Sequence, residues 1–348
     1  MRRSKKERSR RREIPELRRS AWIHALRLIV TLGLCLVILR LVDGARLMAV
    51  LAETHWGWLG LAVLGYTLGQ LMYALSGVLL FRRLDYGFSL PVLLANQYKG
   101  MFFNYFFVSS IGGDLYRIHD LRQRGSTVAD GTAAMITQRL LSLLVLTILA
   151  IGTAPWLAPV EISLGSAVVL LLIVLAGAGW LLAGSAVDHV AGWVRRFPSL
   201  ERGVGLWGRI RDSFCRLIRH VSVIGVLASL LVAQGFNILG AWAVAESQRL
   251  NLAPLLFCFI VPVALLAGAL PISINGIGVR EGLYVALLTA VGAARPRAVA
   301  FSLVVLTIYV GYTLVGGGLF LMGRRDETRD PDQPSGLEED STQRRKAR

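Results

Sequence analysis

Charged residues, cysteines and catalytic motifs are all scarce in this chain. Only 17% of its 348 residues are charged, whereas about a quarter are charged in a typical soluble domain, and 54% are hydrophobic. The three cysteines are isolated and form neither a CxxC pair nor a metal-binding spacing, which leaves packing as their role. This composition excludes an ordinary soluble domain.

Motifs that carry enzyme chemistry are also missing from the sequence. The five histidines are scattered and form no HExxH sequence, and the chain contains no Walker loop and no GxSxG motif. We therefore expect no enzymatic activity, no metal site and no cofactor. If the chain moved a substrate across a membrane, the energy would have to come from a gradient, or the substrate would equilibrate between the two sides.

Seven apolar runs are long enough to cross a bilayer, which takes about 18–20 residues. The runs are continuous and do not alternate between polar and apolar residues, so they predict helices and not a barrel. The predicted fold is an all-α polytopic membrane protein, with spans at residues 21–42, 59–81, 128–153, 162–183, 221–245, 253–270 and 299–322.

Positive charge is concentrated before the first span. Residues 1–20 contain ten lysines or arginines and three glutamates, whereas the tail from residue 324 contains seven basic and seven acidic residues. Basic residues beside a span usually face the cytoplasm and anionic lipid, so we do not interpret them as a nucleic-acid site. The prediction is a disordered cytoplasmic arm at 1–20, a transmembrane domain at 21–323 and a disordered polar tail at 324–348.

The segment at 91–111 is apolar, but a full crossing there would conflict with the arginines that follow. It would place Arg117, Arg122 and Arg124 outside, together with the arginine-rich loop at 195–219. A re-entrant segment, which enters the membrane and returns to the same side, keeps both groups cytoplasmic. Such backbone is tolerated only where it is buried in protein or lines a wet cavity, so this segment already indicates a functional site.

The segment after Gly278 presents the opposite problem. Its apolar part contains only about 13 residues, which is short for a crossing. Seven spans with a cytoplasmic N-terminus would leave Arg324 and Arg325 outside, whereas an eighth crossing moves them inside and exposes Arg295 and Arg297. We favour about eight transmembrane helices plus one re-entrant segment.

Residues 188–220 form a basic stretch with apolar residues at helical spacing. The apolar positions include Trp207, Ile210, Phe214 and Leu217, and arginines occupy much of the rest. This pattern predicts an amphipathic cytoplasmic helix. Two placements remain open, one on the membrane surface and one as a linker helix that covers the bundle.

Two Gly-rich breaks in the chain resemble each other. The first has the sequence SSIGGDLYR at 109–117, and the second has SINGIGVRE at 273–281. In each, an apolar segment ends in serine and glycine and is followed by an acid–arginine cluster and more helix. Transporters are often built from two related halves whose broken helices meet at the binding site, so the pattern suggests an internal repeat.

The two breaks predict a binding site for an anionic headgroup. A Gly-rich break before a helix start exposes backbone N–H groups that bind phosphate, and arginines add fixed positive charge. Asp114 and Glu281 would hold these arginines while the site is empty. The predicted site consists of Gly112, Gly113, Asp114, Arg117, Arg139, Ser273, Asn275, Gly276, Gly278, Arg280 and Glu281. The alternative is that Asp114–Arg280 and Glu281–Arg117 are structural ion pairs that close the bundle.

Four other polar residues lie in apolar segments, namely Gln97, Lys99, Gln234 and Asn237. We interpret them mainly as hydrogen-bonding partners between helices. The aromatic residues at 102–107 are interpreted as packing or as a groove for acyl chains. Neither group is assigned to the predicted site.

Two stretches, FFNYFFVSSIGGDLYRIHDLRQRG and LPISINGIGVREG, resemble the lysylphosphatidylglycerol synthase transmembrane-region family. The GGDxxR and PxSxxGxGxRE motifs occur in the order and at the separation typical of that family. The resemblance covers roughly residues 20–325. The family usually has Pro-Gly near the first break, where this chain has Val108-Ser109-Ser110, so the turn there differs locally.

The resemblance implies a multi-pass bacterial inner-membrane protein with a flippase-like domain at 21–323. Such a domain would move a phospholipid, or a polyprenyl- or hopanoid-type lipid, between leaflets, and its partner would be a membrane lipid with an anionic headgroup. The alternative is a non-catalytic subunit or scaffold for a lipid-modifying enzyme or glycosyltransferase. Only a short polar tail follows Met322, where synthases carry a soluble aminoacyl-transferase domain, so synthase activity is not expected.

Overall fold

The structure is a computed structural model that describes residues 52–106, 112–154, 198–218, 223–269, 273 and 276–327. The predicted basic arm at 1–20 and the predicted spans at 21–42 and 162–183 lie outside these residues. The predicted polar tail also lies outside them, except for residues 324–327, which continue the last helix.

The described part of the chain is helical and contains no strand, which confirms the predicted all-α class, while the predicted number of about eight transmembrane helices stays a prediction. Its helices, in chain order, are α1 (Trp56–Arg82), α2 (Leu90–Phe106), α3 (Gly112–Gln123), α4 (Val128–Thr153), α5 (Pro198–Ile218), α6 (Val223–Ser247), α7 (Pro254–Gly268), α8 (Val279–Ala290) and α9 (Arg295–Glu327).

Four of these helices are long and apolar enough to cross a membrane, and each matches a predicted span. They are α1, α4, α6 and the portion Arg295–Met322 of α9. The match follows from length, because a helix rises about 1.5 Å per residue and the hydrocarbon core is about 30 Å thick. We call the α1 C-terminus and the α4 N-terminus the arginine-rich end, since Arg82, Arg83, Arg122 and Arg124 lie near it.

Helices α2 and α3 form a hairpin that begins and ends at the arginine-rich end. They run antiparallel, because the Asn104 amide accepts a hydrogen bond from the Gly113 N–H near the tip and Asn96 bonds Asp120 near the base. A Cβ on Gly113 would lie 2.2 Å from the Gly100 carbonyl oxygen, so glycine is required for this approach. The predicted re-entrant segment therefore has the required hairpin geometry, with both of its ends on one side.

Helices α7 and α8 form a second hairpin at the opposite end of the molecule. Gly268, at the end of α7, contacts Gly276 and Arg280, at the start of α8. The base of this hairpin lies beside the α6 C-terminus, since Arg297 of α9 donates to the Arg249 carbonyl. This hairpin is an alternative to the separate crossings predicted at 253–270 and after Gly278, and the predicted number of about eight crossings stays a prediction. Helices of 15 and 12 residues are too short to cross singly and instead return on themselves.

The order long helix, hairpin, long helix occurs twice in the chain. The first copy comprises α1 to α4 and the second comprises α6 to α9. Helices α1 and α6 pack antiparallel, with Gly65 against Gly240 and the His55 N–H bonded to the Ser247 carbonyl. The two copies therefore have opposite orientations, which is the inverted-repeat plan of many transporters. This arrangement supports the internal repeat suggested by the two breaks.

Helix α5 covers the arginine-rich end of the bundle. Its apolar stripe is buried against α4 and its neighbours through Ile210, Phe214 and Leu217. On its polar side, the Ser213 hydroxyl donates to Asp130 at 2.6 Å and Arg216 pairs with the same carboxylate at 3.3 Å. Of the two placements left open by the amphipathic pattern, the described residues show the one that covers the bundle.

Candidate functional site: a cavity between the hairpins

A cavity of about 310 Å³ lies halfway along the long helices. Its walls include Tyr73 from the middle of α1, Arg139 from the middle of α4 and Gln234 from the middle of α6. The two hairpins and α9 complete the walls with Gln97, Gly100, Met101, Asn104, Arg117, Leu265, Ala269 and Tyr309. The two hairpins therefore meet at mid-depth, where inverted-repeat transporters place their substrate sites.

Two arginines of the described cavity wall, Arg117 and Arg139, share the carboxylate of Asp114, which lies beside the cavity. Asp114 lies 3.3 Å from Arg139 of α4 and 3.9 Å from Arg117 of its own helix. The Arg139 side chain is 55% exposed and that of Asp114 is 33% exposed, so these contacts are open to solvent or ligand. Two positive groups share one carboxylate, which leaves a net positive charge suited to an anion.

A second opening of about 380 Å³ connects with this cluster between α3 and α4. It shares Tyr73, Asn104, Arg117 and Arg139 with the central cavity and includes Asp114. Its remaining walls come from Ile118, Thr132, Met135 and Ile136. The Asp114–Arg139 ion pair thus spans a groove between α3 and α4 that adjoins the central cavity.

Uncharged amides occupy much of the remaining polar wall. Gln97 donates to Gln70 across the α1–α2 interface, and Asn237 donates to Gln234 within α6. The side-chain oxygens of Gln97 and Asn237 are buried and accept no hydrogen bond within the described part of the chain. A ligand hydroxyl or ammonium group could satisfy these acceptors. The interpretation as interhelical partners holds for Gln97, which bonds α1, and for Lys99, which pairs with Asp120 of α3. Gln97, Gln234 and Asn237 also line the cavity.

The charges of the second hairpin are held differently. Arg280 forms two hydrogen bonds to one Glu281 oxygen, at 2.7 and 3.0 Å, and the other oxygen caps the Gly278 N–H at 2.7 Å. The guanidinium also lies 4.5 Å from the ring centroid of Tyr309, which lines the cavity, whereas Arg280 is not among the described wall residues. The suggested Asp114–Arg280 and Glu281–Arg117 ion pairs are therefore wrong, since each acid pairs with an arginine of its own half.

The structure brings together one part of the predicted site and separates another. Gly113, Asp114, Arg117 and Arg139 meet at the cavity or just behind it, and Gly112 begins α3 beside them. Arg280, Glu281, Gly276 and Gly278 form a buried support behind Tyr309. Ser273 is buried, and its hydroxyl has no hydrogen-bond partner in the part of the chain that the structure describes. Asn275 lies outside the described residues.

A buried ion pair in the first hairpin was not anticipated from the sequence. Lys99 of α2 lies 3.8 Å from Asp120 of α3, and Asp120 also accepts a hydrogen bond from Asn96. Asn96 accepts in turn from Arg117 at 3.3 Å, which orients this arginine toward the cavity. The available signal was three polar residues, Asn96, Gln97 and Lys99, in an otherwise apolar segment.

These observations define a class, namely a multi-pass helical membrane protein with two oppositely oriented hairpins around a polar cavity. The family model described as the lysylphosphatidylglycerol synthase transmembrane region matches residues 24–316. The chain therefore belongs to this family, which confirms the resemblance found in the sequence motifs. No curated protein and no solved structure matches the chain.

Proposed function

We propose that this protein moves an anionic lipid between the two leaflets of its membrane. The observation that supports this function best is the central cavity, where two hairpins from opposite ends meet around Arg117 and Arg139, with Asp114 beside them. A charged cluster halfway along apolar helices is costly to maintain and usually marks a pathway or binding site. Membership of a lipid-related membrane family supports the same conclusion.

The proposed substrate is a lipid whose headgroup carries a phosphate and hydrogen-bond donors. Its phosphate would bind Arg117 and Arg139, and its donors would satisfy the side-chain oxygens of Gln97 and Asn237. A phospholipid or a polyprenyl- or hopanoid-type lipid with such a headgroup meets these requirements. The acyl chains would remain in the bilayer and follow the groove between α3 and α4.

Asp114 would act as a substitute for the substrate anion. In the empty site it shares the two arginines, which lowers the cost of keeping them at mid-depth. An arriving phosphate would compete for these arginines and release Asp114. The exposure of Asp114 and Arg139 makes this exchange sterically accessible. No catalytic step and no cofactor is required, so we propose a transporter and not an enzyme.

The proposed orientation places the arginine-rich end in the cytoplasm. Arg82, Arg83, Arg122 and Arg124 lie there, together with the arginines of α5, whereas the opposite end carries Arg249, Arg295 and Arg297. The greater number of arginines at the first end favours the cytoplasm by the positive-inside rule. We propose the bacterial inner membrane as the location and a cytoplasmic N-terminus.

A leaflet-exchange assay tests the proposed function. The full-length protein would be reconstituted into liposomes that contain a fluorescent phosphatidylglycerol, and the accessible fraction would be followed after adding a membrane-impermeant quencher. We expect the wild-type protein to accelerate exchange and Arg139→Gln to slow it by about tenfold or more, since a charge-assisted contact is lost. Arg83→Gln, which removes an exposed arginine outside the cavity, should exchange like wild type.

The second candidate function is a non-transporting subunit or scaffold for a lipid-modifying enzyme or glycosyltransferase. Helix α5 packs on α4 at the arginine-rich end, and its outer side would be the surface for such a partner. Wild-type liposomes that exchange lipid no faster than empty liposomes would favour this function. Loss of partner capture from Arg209→Gln, with no effect of Arg139→Gln, would favour it further.

A further inference from the structure

A second polar cleft lies at the arginine-rich end, outside the central cavity. It has a volume of about 760 Å³ and is formed by the α3 C-terminus, the start of α4 and one side of α5. Three arginines line it, Arg122 from α3 and Arg209 and Arg216 from α5. The cleft therefore collects positive charge from two elements that are far apart in sequence.

The arginines of this cleft are only partly neutralised. Arg216 pairs with Asp130 at 3.3 Å, and Asp212 pairs with Arg211 at 3.8 Å. Arg122 and Arg209 are exposed and form no ion pair within the described ranges. Three arginines against two aspartates leave the cleft wall with a net positive charge, so an anion is the complementary ligand.

The start of α4 supplies a second, independent feature of the cleft. Ser126 is a wall residue of the cleft and is only 6% exposed, and its buried hydroxyl has no hydrogen-bond partner among the described residues. Val128 and Ala129, the first residues of α4, line the cleft beside it. A helix start carries partial positive charge and backbone N–H groups that favour phosphate.

We propose that this cleft binds a phosphate group, held by Arg122, Arg209, the Ser126 hydroxyl and the start of α4. The ligand class is a phosphate monoester or diester, whether the headgroup of an anionic lipid or a soluble phosphate ester. An arginine fork and a serine hydroxyl are typical phosphate ligands, and the cleft is wide enough for a headgroup. The proposal concerns a site distinct from the central cavity.

The position of the cleft gives it a role that rests on the proposed lipid transport. The groove between α3 and α4 shares no described wall residue with the cleft, but it includes Thr132, two residues beyond Asp130 of the cleft, and continues past Met135 to Arg139. Arg139 lies seven positions after Thr132 in α4, which is a distance of about 10 Å along the helix axis. A headgroup bound in the cleft would therefore lie on the path to the central cavity, and the cleft would load substrate from the leaflet at this end.

Direct binding measurements test the site. Full-length wild type, Arg209→Gln, Ser126→Ala and the control Arg83→Gln would be purified in detergent. Native mass spectrometry would report retained phosphatidylglycerol, and calorimetry would report the binding of glycerol phosphate. We expect Arg209→Gln to weaken binding by about tenfold and Ser126→Ala by a few fold, because each removes one contact to the phosphate. Arg83→Gln should bind like wild type, and the melting temperatures of all four should agree.

The outcomes distinguish a lipid headgroup from a soluble phosphate ester as the ligand, and they test the cleft separately from the transport function. Weaker retention of lipid alone identifies a lipid headgroup, and weaker binding of glycerol phosphate alone identifies a soluble ester and removes the loading role. Equal binding by all variants, or an equal loss in Arg83→Gln, overturns the site. In the leaflet-exchange assay, Arg209→Gln should raise the lipid fraction needed for half-maximal rate, whereas Arg83→Gln should leave it unchanged. If the wild type exchanges no lipid, the transport proposal fails while the binding data still decide the site.

Discussion

The two hairpins share a plan but hold their charges in different ways. In the first, Asp114 is divided between Arg117 and Arg139 at 3.9 and 3.3 Å, and all three line an opening in the structure. In the second, Arg280 binds Glu281 at 2.7 Å, and both side chains are less than 10% exposed. The first cluster is therefore accessible to a ligand and the second is enclosed by protein.

This difference assigns different roles to two similar sequences. A loose, exposed ion pair contributes little stability and can exchange partners, whereas a buried pair is strongly destabilising if one partner is removed. We infer that the first hairpin binds the headgroup and that the second is a rigid support behind Tyr309. The predictions below test this division, from the largest expected effect to the smallest.

Removing the acid of the second hairpin should have the largest effect on stability. Glu281→Gln leaves the Arg280 guanidinium buried without a counter-charge, and it should lower the free energy of unfolding by about 3–5 kcal/mol. Thermal unfolding in detergent, followed by loss of the monodisperse peak, measures the change. The double variant Arg280→Met with Glu281→Gln should recover part of the loss. A stable Glu281→Gln that fails only in lipid exchange would place the second hairpin in the binding site instead.

The tip of the second hairpin should tolerate no side chain at Gly276. This residue has φ +74°, and a Cβ would lie 2.6 Å from the Gly268 carbonyl oxygen. Gly276→Ala should destabilise the protein by about 1–3 kcal/mol, because strain and overpacking coincide. The matched control is Gly282→Ala, where a Cβ meets nothing within 4 Å inside α8. Equal melting temperatures for both variants would show that this tip is not a rigid support.

Removing the acid of the first hairpin should affect binding more than stability. Asp114→Asn leaves Arg117 and Arg139 without a competing carboxylate, so retention of phosphatidylglycerol should increase by about tenfold, which corresponds to ~1.4 kcal/mol. Native mass spectrometry measures the retained lipid, and the melting temperature should stay close to wild type. A loss of stability comparable to that of Glu281→Gln would remove the distinction between the hairpins.

The smallest effect is expected from one hydrogen bond between the loop before α2 and the start of α4. Tyr86 precedes α2, and its hydroxyl donates to Asp130 at 2.7 Å; burial and this hydrogen bond raise the pKa of Tyr86 above its ordinary value. Tyr86→Phe should destabilise the protein by about 1 kcal/mol. The raised pKa means that this contribution is complete below the pKa of an unfolded tyrosine and declines at higher pH. Thermal unfolding at neutral and alkaline pH would measure both effects, and a Tyr86→Phe difference that grows with pH would contradict the assignment.

Part of the site could be predicted because its chemistry is local. Gly-Gly-Asp before a helix start and arginines inside apolar segments indicate a headgroup site from residue type alone, and Asp114, Arg117 and Arg139 do lie together. The partners of the acids could not be predicted in this way. Glu281 pairs with the adjacent Arg280 because both side chains are buried in the same place. The spacing of residues in the sequence does not predict this pairing. The cavity amides Gln70, Gln97 and Gln234 belong to three helices, so their shared wall is a tertiary property.

The sequence by itself determined that this is a helical membrane protein, where its four described long helices lie, and to which family it belongs. Apolar length and local motifs are properties of contiguous residues, so they can be read without a fold. Only the tertiary structure decided that α7 and α8 form a hairpin. An apolar segment near the minimum crossing length is compatible with either a full crossing or one arm of a hairpin. The tertiary structure also decided which hairpin presents its charges to the cavity, since accessibility depends on the helices that pack around each ion pair.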